Sequence, residues 1–155
     1  MPTTASLHAQ LDALYATWAN LSPSSSPAEF DKFADFFDDN CRAWLLSMRE
    51  LTTPSIGRRG VVDGIKEALR DQRIAERRVV DRFESAGGSK ISVEMNNRLV
   101  VHGRELDPFP ETATAVFNEK GLITDFKVYC CRSPVVQIVQ DVTGEGPYKC
   151  HPVDG

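Results

Sequence analysis

The fold turns on the stretch Lys90-Ile91-Ser92-Val93-Glu94-Met95-Asn96-Asn97-Arg98-Leu99-Val100-Val101-His102-Gly103-Arg104-Glu105-Leu106. Odd positions carry Ile91, Val93, Met95, Leu99 and Val101; even positions carry Ser92, Glu94, Asn96, Arg98, Val100, His102 and Arg104. Side chains alternate across a strand, so this period of two predicts a β-strand with its odd face on a core and its even face toward solvent or a partner subunit. Its seventeen residues exceed the usual strand length, which predicts a bulge or strong bend within it. Beyond that bulge the two faces would exchange. The same alternation runs from Arg73 to Cys131, broken at Gly87-Gly88, Asp107-Pro108-Phe109-Pro110 and Asn118-Glu119-Lys120-Gly121. Three turn signals between four strands predict an antiparallel meander.

The chain before the meander reads as helix, helix, strand, helix. Leu7, Leu11, Leu14, Tyr15, Trp18 and Leu21 recur at three- and four-residue spacing behind a capping Ser6. Ser22-Pro23-Ser24-Ser25-Ser26-Pro27 breaks that helix, and its last serine and proline open a second one to about Phe37, with Phe30, Phe33, Ala34 and Phe37 on its apolar side. Cys41 to Met48 is short and apolar and suits a buried strand, one face of which carries Arg42, Trp44, Leu46 and Met48. Ser55 is placed to cap a third helix ending near Asp71, with Ile56, Val61, Ile65, Ala68 and Leu69 as its stripe. A short helical piece over Val135 to Val142 leads to a tail predicted to be flexible from residue 143.

Composition bounds the function. The 155 residues are 41% apolar, the size and content of one domain that buries roughly 68–70% of its unfolded surface. The 18 basic and 22 acidic side chains give a net charge of −4, against a nucleic-acid grip. No apolar run approaches the roughly 20 residues that span a bilayer. Met1 to Leu14 has no basic segment followed by a continuous apolar one, so the expected location is cytoplasmic. Cys41, Cys130, Cys131 and Cys150 form no C-x-x-C pair, which disfavours structural zinc and predicts reduced, core-like thiols. There is no glycine-rich phosphate loop, no H-E-x-x-H and no G-x-S-x-G.

Three helices on one face of a strongly curved, mostly antiparallel sheet make an α+β cone. This order resembles the NTF2-like superfamily, and within it the SnoaL-like polyketide cyclase and isomerase relatives. The resemblance rests on Phe36-Phe37-Asp38-Asp39-Asn40-Cys41-Arg42-Ala43-Trp44, on Ser55-Ile56-Gly57-Arg58-Arg59-Gly60-Val61-Val62, and on Gly121-Leu122-Ile123-Thr124-Asp125-Phe126-Lys127-Val128-Tyr129. It covers about Leu7 to Arg132 of a single domain. It implies a pocket inside the cone, a small-molecule substrate, no cofactor, and a homodimer formed through the outer sheet face. The relatives include cyclases, ketosteroid isomerases, scytalone dehydratase-like and epoxide hydrolase-like enzymes and fungal meroterpenoid isomerases, together with members that only bind. Arg104-Glu105-Leu106-Asp107 does not reproduce the Arg-x-Asp pair of the epoxide hydrolase-like group.

A cofactor-free isomerase, cyclase or dehydratase of secondary metabolism must move protons between an acid and a base over an apolar pocket. His102 titrates near neutrality and is the natural base if it faces the pocket; otherwise it is a surface histidine. Glu94 is the carboxylate alternative. Arg42 is either a pocket cation suited to an enolate or a rim partner of Asp38 or Asp39. Tyr129, near a strand end, could donate to an oxyanion, whereas Asp125 and Lys127 read as solvated. Tyr15, Trp18, Trp44, Met48 and Met95 are the candidate pocket walls, with ordinary core packing the other reading of the aromatics. Arg70, Arg73, Arg77, Arg78 and Arg82 alternate with Asp71, Glu76, Asp81 and Glu84 and read as one solvated, charge-balanced face. A non-catalytic binding or dimerisation module is the rival reading; facing ionisable groups in a pocket would favour the enzyme.

Overall fold

The computed structural model describes residues 2–48 and 53–148. Its first helix, α1 (Thr4–Ala19), is capped by Thr3, whose side chain accepts from the Ser6 amide, so the cap lies three residues before the expected one. The second, α2 (Pro27–Ala34), starts at the Ser26 cap with Pro27 behind it, and Glu29 completes a capping box. It ends at Ala34, and Phe37 already belongs to β1 (Phe37–Trp44). Ser55 caps nothing: with Ile56 it forms the two-residue β2 (Ser55–Ile56) on β1, and α3 (Gly57–Ala68) begins without a side-chain cap. Gly57 is required there, because φ is +69° and a Cβ would sit 2.9 Å from the Asp39 carbonyl.

The remaining elements are β3 (Gln72–Glu76), β4 (Val79–Glu84), β5 (Lys90–Val101), β6 (Arg104–Phe117), β7 (Ile123–Cys130) and α4 (Ser133–Thr143). The strands form one strongly curled sheet in the order β2-β1-β7-β6-β5-β3, with β4 also paired to β5. β1 runs parallel to β7 and the other pairings are antiparallel, so the sheet is mixed. The predicted first meander strand is divided at Arg77-Arg78 into β3 and β4, both resting on β5. The predicted seventeen-residue strand ends instead at a two-residue turn, His102-Gly103, whose φ values of 46° and 79° are both left-handed, as in a type I′ hairpin. The Asp107–Pro110 segment, read as a turn, lies inside β6.

α1 to α3 lie on the concave side. Tyr15 stacks on Trp18 at 5.5 Å, Trp18 meets Phe33 edge-on at 5.6 Å, and Phe37 meets Phe126 edge-on at 6.0 Å, which joins both N-terminal helices to β1 and β7. The odd face of β5 is buried as expected. In β1 the buried residues are Phe37, Cys41 and Ala43, continued by Leu45 and Ser47, because that face packs under α3. Arg42 and Trp44 therefore occupy the convex side. After α4, Gly144 provides a left-handed cap, and Gln140 exchanges two hydrogen bonds with Tyr148, at 2.7 and 2.8 Å. These bonds fold Tyr148 back onto α4; residues 149–155, with Cys150, lie outside the described residues. Among the described residues no helix is long and apolar enough to cross a membrane.

Candidate active site

The interior chemistry follows from one register shift. β5 and β6 pair continuously from Lys90↔Val116 to Asn97↔Phe109 and resume at Leu99↔Leu106. Between those pairs β5 advances two residues and β6 three, so the extra residue belongs to β6, at Asp107-Pro108. β5 keeps its parity, while β6 changes parity and turns Phe109, Glu111, Ala113, Ala115 and Phe117 inward. Two polar side chains are carried into the cone as diagonal neighbours: Asn97, fully buried, and Glu111, 9% exposed.

Asn97 is held in one orientation. Its Oδ1 accepts from the Arg78 amide at 3.0 Å, so Nδ2 donates to Glu111 Oε2 at 2.7 Å. Burial raises the proton affinity of Glu111 above the ordinary glutamate range, against the opposing pull of the Asn97 hydrogen bond and the Arg132 charge. Burial, and after it the Glu111 charge, also raises the Tyr15 phenol and pushes the Cys130 thiol up to about 12. Cys130 is accordingly a thiol, not a thiolate nucleophile, and it donates to the Leu46 carbonyl at 3.2 Å. Arg77 lies over the Tyr15 ring at 4.5 Å, donates to Asp12 at 2.7 Å, and leaves its buried Nη2 without a partner. It is therefore no part of a solvated face. Glu111, Asn97, Tyr15, Cys130 and Arg132 form one electrostatically linked group, with Met95 opposite Glu111 and with Trp18 and Phe126 against the Tyr15 ring.

Two adjoining cavities lie at the end of the cone where Arg132 sits. One, of about 300 Å³, is lined by residues including Leu45, Leu46, Ala68, Asp71, Gln72 and Arg132. The other, of about 280 Å³, is lined by Ser47, Met48, Tyr129, Cys130 and Arg132. Arg132 borders both and donates to Gln72 at 2.6 Å, while its charge reaches Glu111.

The residues singled out from sequence separate into three places. Tyr15, Trp18 and Met95 are buried inside the cone. Arg42, Trp44, Glu94 and Tyr129 are carried by the convex face: the Arg42 side chain is 61% exposed and lies over Trp44 with Asp125 3.9 Å away, and Tyr129 is 47% exposed. Met48 borders the smaller cavity, as Tyr129 also does from the strand end, and Trp44 contributes to the lining of the larger. His102 sits at the hairpin tip, its Nε2 2.7 Å from Asp71 Oδ1. His102, Tyr129, Arg42 and Glu94 do not converge. Asn97 and Glu111 are the residues the sequence reading passed over. Their signal was present as the one polar interruption in each otherwise apolar inward face, 91–101 and 109–117.

No family model matches the chain, and no curated protein matches it. Solved structures do. A candidate polyketide cyclase from Xanthomonas campestris pv. campestris superposes with a TM-score of 0.65 at 15% identity, covering 83% of this chain and 92% of that one. A hypothetical protein with a ketosteroid isomerase-like fold from Catenulispora acidiphila, solved in complex with trimethylamine, gives 0.64 at 11% identity, covering 83% and 89%. An epoxide hydrolase of LEH-like type from M. tuberculosis gives 0.63 at 13% identity, covering 93% and 100%. These identities speak to fold and leave activity to the chemistry of the site. The chain has the α+β cone fold of NTF2-like and SnoaL-like proteins.

Proposed function

We propose that this chain is a cofactor-independent isomerase or cyclase that moves a proton on a small carbonyl-bearing substrate. The observation that carries the reading is the buried Glu111 carboxyl, fixed by Asn97 at 2.7 Å and held above its ordinary proton affinity in a wall of apolar residues. An ionisable group in such a place costs stability, and the cone could be packed without it. In its ionised form Glu111 would accept a proton from the carbon beside the carbonyl. Arg132 and the Tyr15 hydroxyl would stabilise the enolate oxygen, and Glu111 would return the proton at the new position, leaving enzyme and atom count unchanged. Arg132 borders both cavities, so a substrate in either would lie against it. The exposed Phe83 and Tyr129 on the convex face support a homodimer through the sheet as part of the same proposal.

The test uses the small-molecule extract of the source organism, incubated with native protein, with Glu111→Gln and with heat-inactivated protein, no cofactor being added. A metabolite that changes retention at unchanged mass, or loses one water, with native protein alone supports the assignment. An unchanged extract, or equal turnover by Glu111→Gln, overturns it, the first outcome in favour of a binding module. Light scattering at two concentrations reads the dimer, and a monomer at both refutes that part.

A further inference from the structure

We infer a second ligand site, outside the cone, that takes a small carboxylate with an apolar body. It is a cavity of about 200 Å³ between the loop after α1, the α3–β3 junction and the β5–β6 hairpin. Its lining divides by chemistry: Leu21, Leu69 and Val100 are apolar, and Arg70, Arg73 and His102 are basic.

The arginines are the deciding observation. Arg42, Arg58, Arg77, Arg78, Arg82, Arg98 and Arg104 each have an acidic partner, and Arg132 is bonded to Gln72. Among the described residues only Arg59, Arg70 and Arg73 have side chains with no hydrogen-bond, ion-pair or ring partner, and two of these three border this cavity. In a chain of net charge −4 with acidic residues to spare, two unmatched guanidinium groups at one cavity mark a place for an anion. The carboxylate already present, Asp71, does not fill that role: it is bonded to His102 at 2.7 Å and is turned toward the imidazole. That bond uses Nε2; Nδ1 is left for a ligand and donates to a carboxylate when the ring carries both protons. The left-handed φ of 46° at His102 and the Asp71 carbonyl, which accepts from the His102 amide at 3.1 Å, hold the ring in place against the α3–β3 junction. The apolar floor argues for more than a bare anion, since covering Leu21, Leu69 and Val100 with an apolar body removes further apolar surface from water. Asp71 and Gln72 border both this site and the larger cavity at the mouth of the cone, so a ligand here is separated from that cavity by one wall.

The test is titration of the full chain with benzoate, followed by amide chemical shifts in ¹H–¹⁵N spectra. Saturable shifts centred on Leu21, Leu69, Val100, His102 and Gly103 are expected, weakened about tenfold or more in the Arg70→Gln/Arg73→Gln double variant, as for the loss of charge-assisted contacts. Both arginines are exposed, so the double variant keeps the fold. Glu111→Gln should bind benzoate as the native chain does, which separates this site from the interior one. Acetate binding as tightly as benzoate would overturn the apolar part of the assignment, and benzyl alcohol doing so would overturn the ionic part. Absence of saturable shifts, or unchanged affinity in the double variant, would overturn the site.

Discussion

Asn97→Ala tests the interior pair most directly. Asn97 is fully buried and makes three hydrogen bonds, accepting from the Arg78 amide at 3.0 Å and donating to Glu111 at 2.7 Å and to the Met95 sulfur at 3.8 Å. Removing it costs about 1.5–3 kcal/mol for the bond to a charged carboxylate and about 1–3 kcal/mol for the stranded Arg78 N–H, together roughly 2.5–6 kcal/mol. At about 2–4 °C per kcal/mol for a chain of this size, the melting temperature should fall by roughly 5–24 °C. The pH dependence is the sharper signature. Glu111 has a raised proton affinity in the folded state, so its protonated form contributes stability that is fully present below the ordinary value of 4.5 and lost as pH rises through the folded value. The Asn97 hydrogen bond opposes that rise, and deleting it lifts the proton affinity further, so the penalty of Asn97→Ala should grow as pH increases above the ordinary carboxylate range. Urea unfolding at stepped pH, repeated in a Glu111→Gln background where nothing titrates at this site, reads the coupling. A penalty independent of pH, or one that keeps its pH dependence with Glu111→Gln, would refute the pairing.

Three further outcomes follow from the packing. Phe126 is fully buried against Tyr15 and Phe37, and Phe126→Ala should cost about 3–5 kcal/mol in denaturant unfolding; a loss under 1 kcal/mol would mean the cone interior is loosely packed. A Cβ at Gly64 would run into Ser55 Oγ and stand 3.1 Å from Leu45 Cδ1, so Gly64→Ala should lose about 1–3 kcal/mol, partly recovered by adding Ser55→Ala. Recovery is read as the melting temperature of the double variant. Ser26→Ala removes one half of the α2 capping box and should cost about 0.5–2 kcal/mol, with Ser26→Asp close to native; equal losses in both variants would show that the cap hydrogen bond contributes nothing.

The helices, the odd-inward face of β5 and the cone fold were legible in the sequence because they depend on local rules. Periods of three to four place Leu7, Leu11, Leu14 and Trp18 on one side of α1; a period of two buries Ile91, Val93, Met95, Leu99 and Val101; Ser26-Pro27 opens α2 by its own chemistry. The interior site was not legible in the same way. Glu111 faces inward only because β6 holds one more residue than β5 opposite it, and a bulge is a property of two paired strands, invisible in either alone. The same limit put Arg42 and Trp44 on the convex side: their alternation with Cys41 and Ala43 is plain in the sequence, but which face meets α3 is decided by packing. The arginine run 70–82 is uniform as sequence and divided as structure. Arg77, Arg78 and Arg82 reach acids from Asp12 to Asp107, whereas Arg70 and Arg73, beside the His102 hairpin, reach none. Local periodicity determines which elements form. Side-chain chemistry at a site depends on long-range register and on partners distant in sequence, and those exist only once the chain has folded.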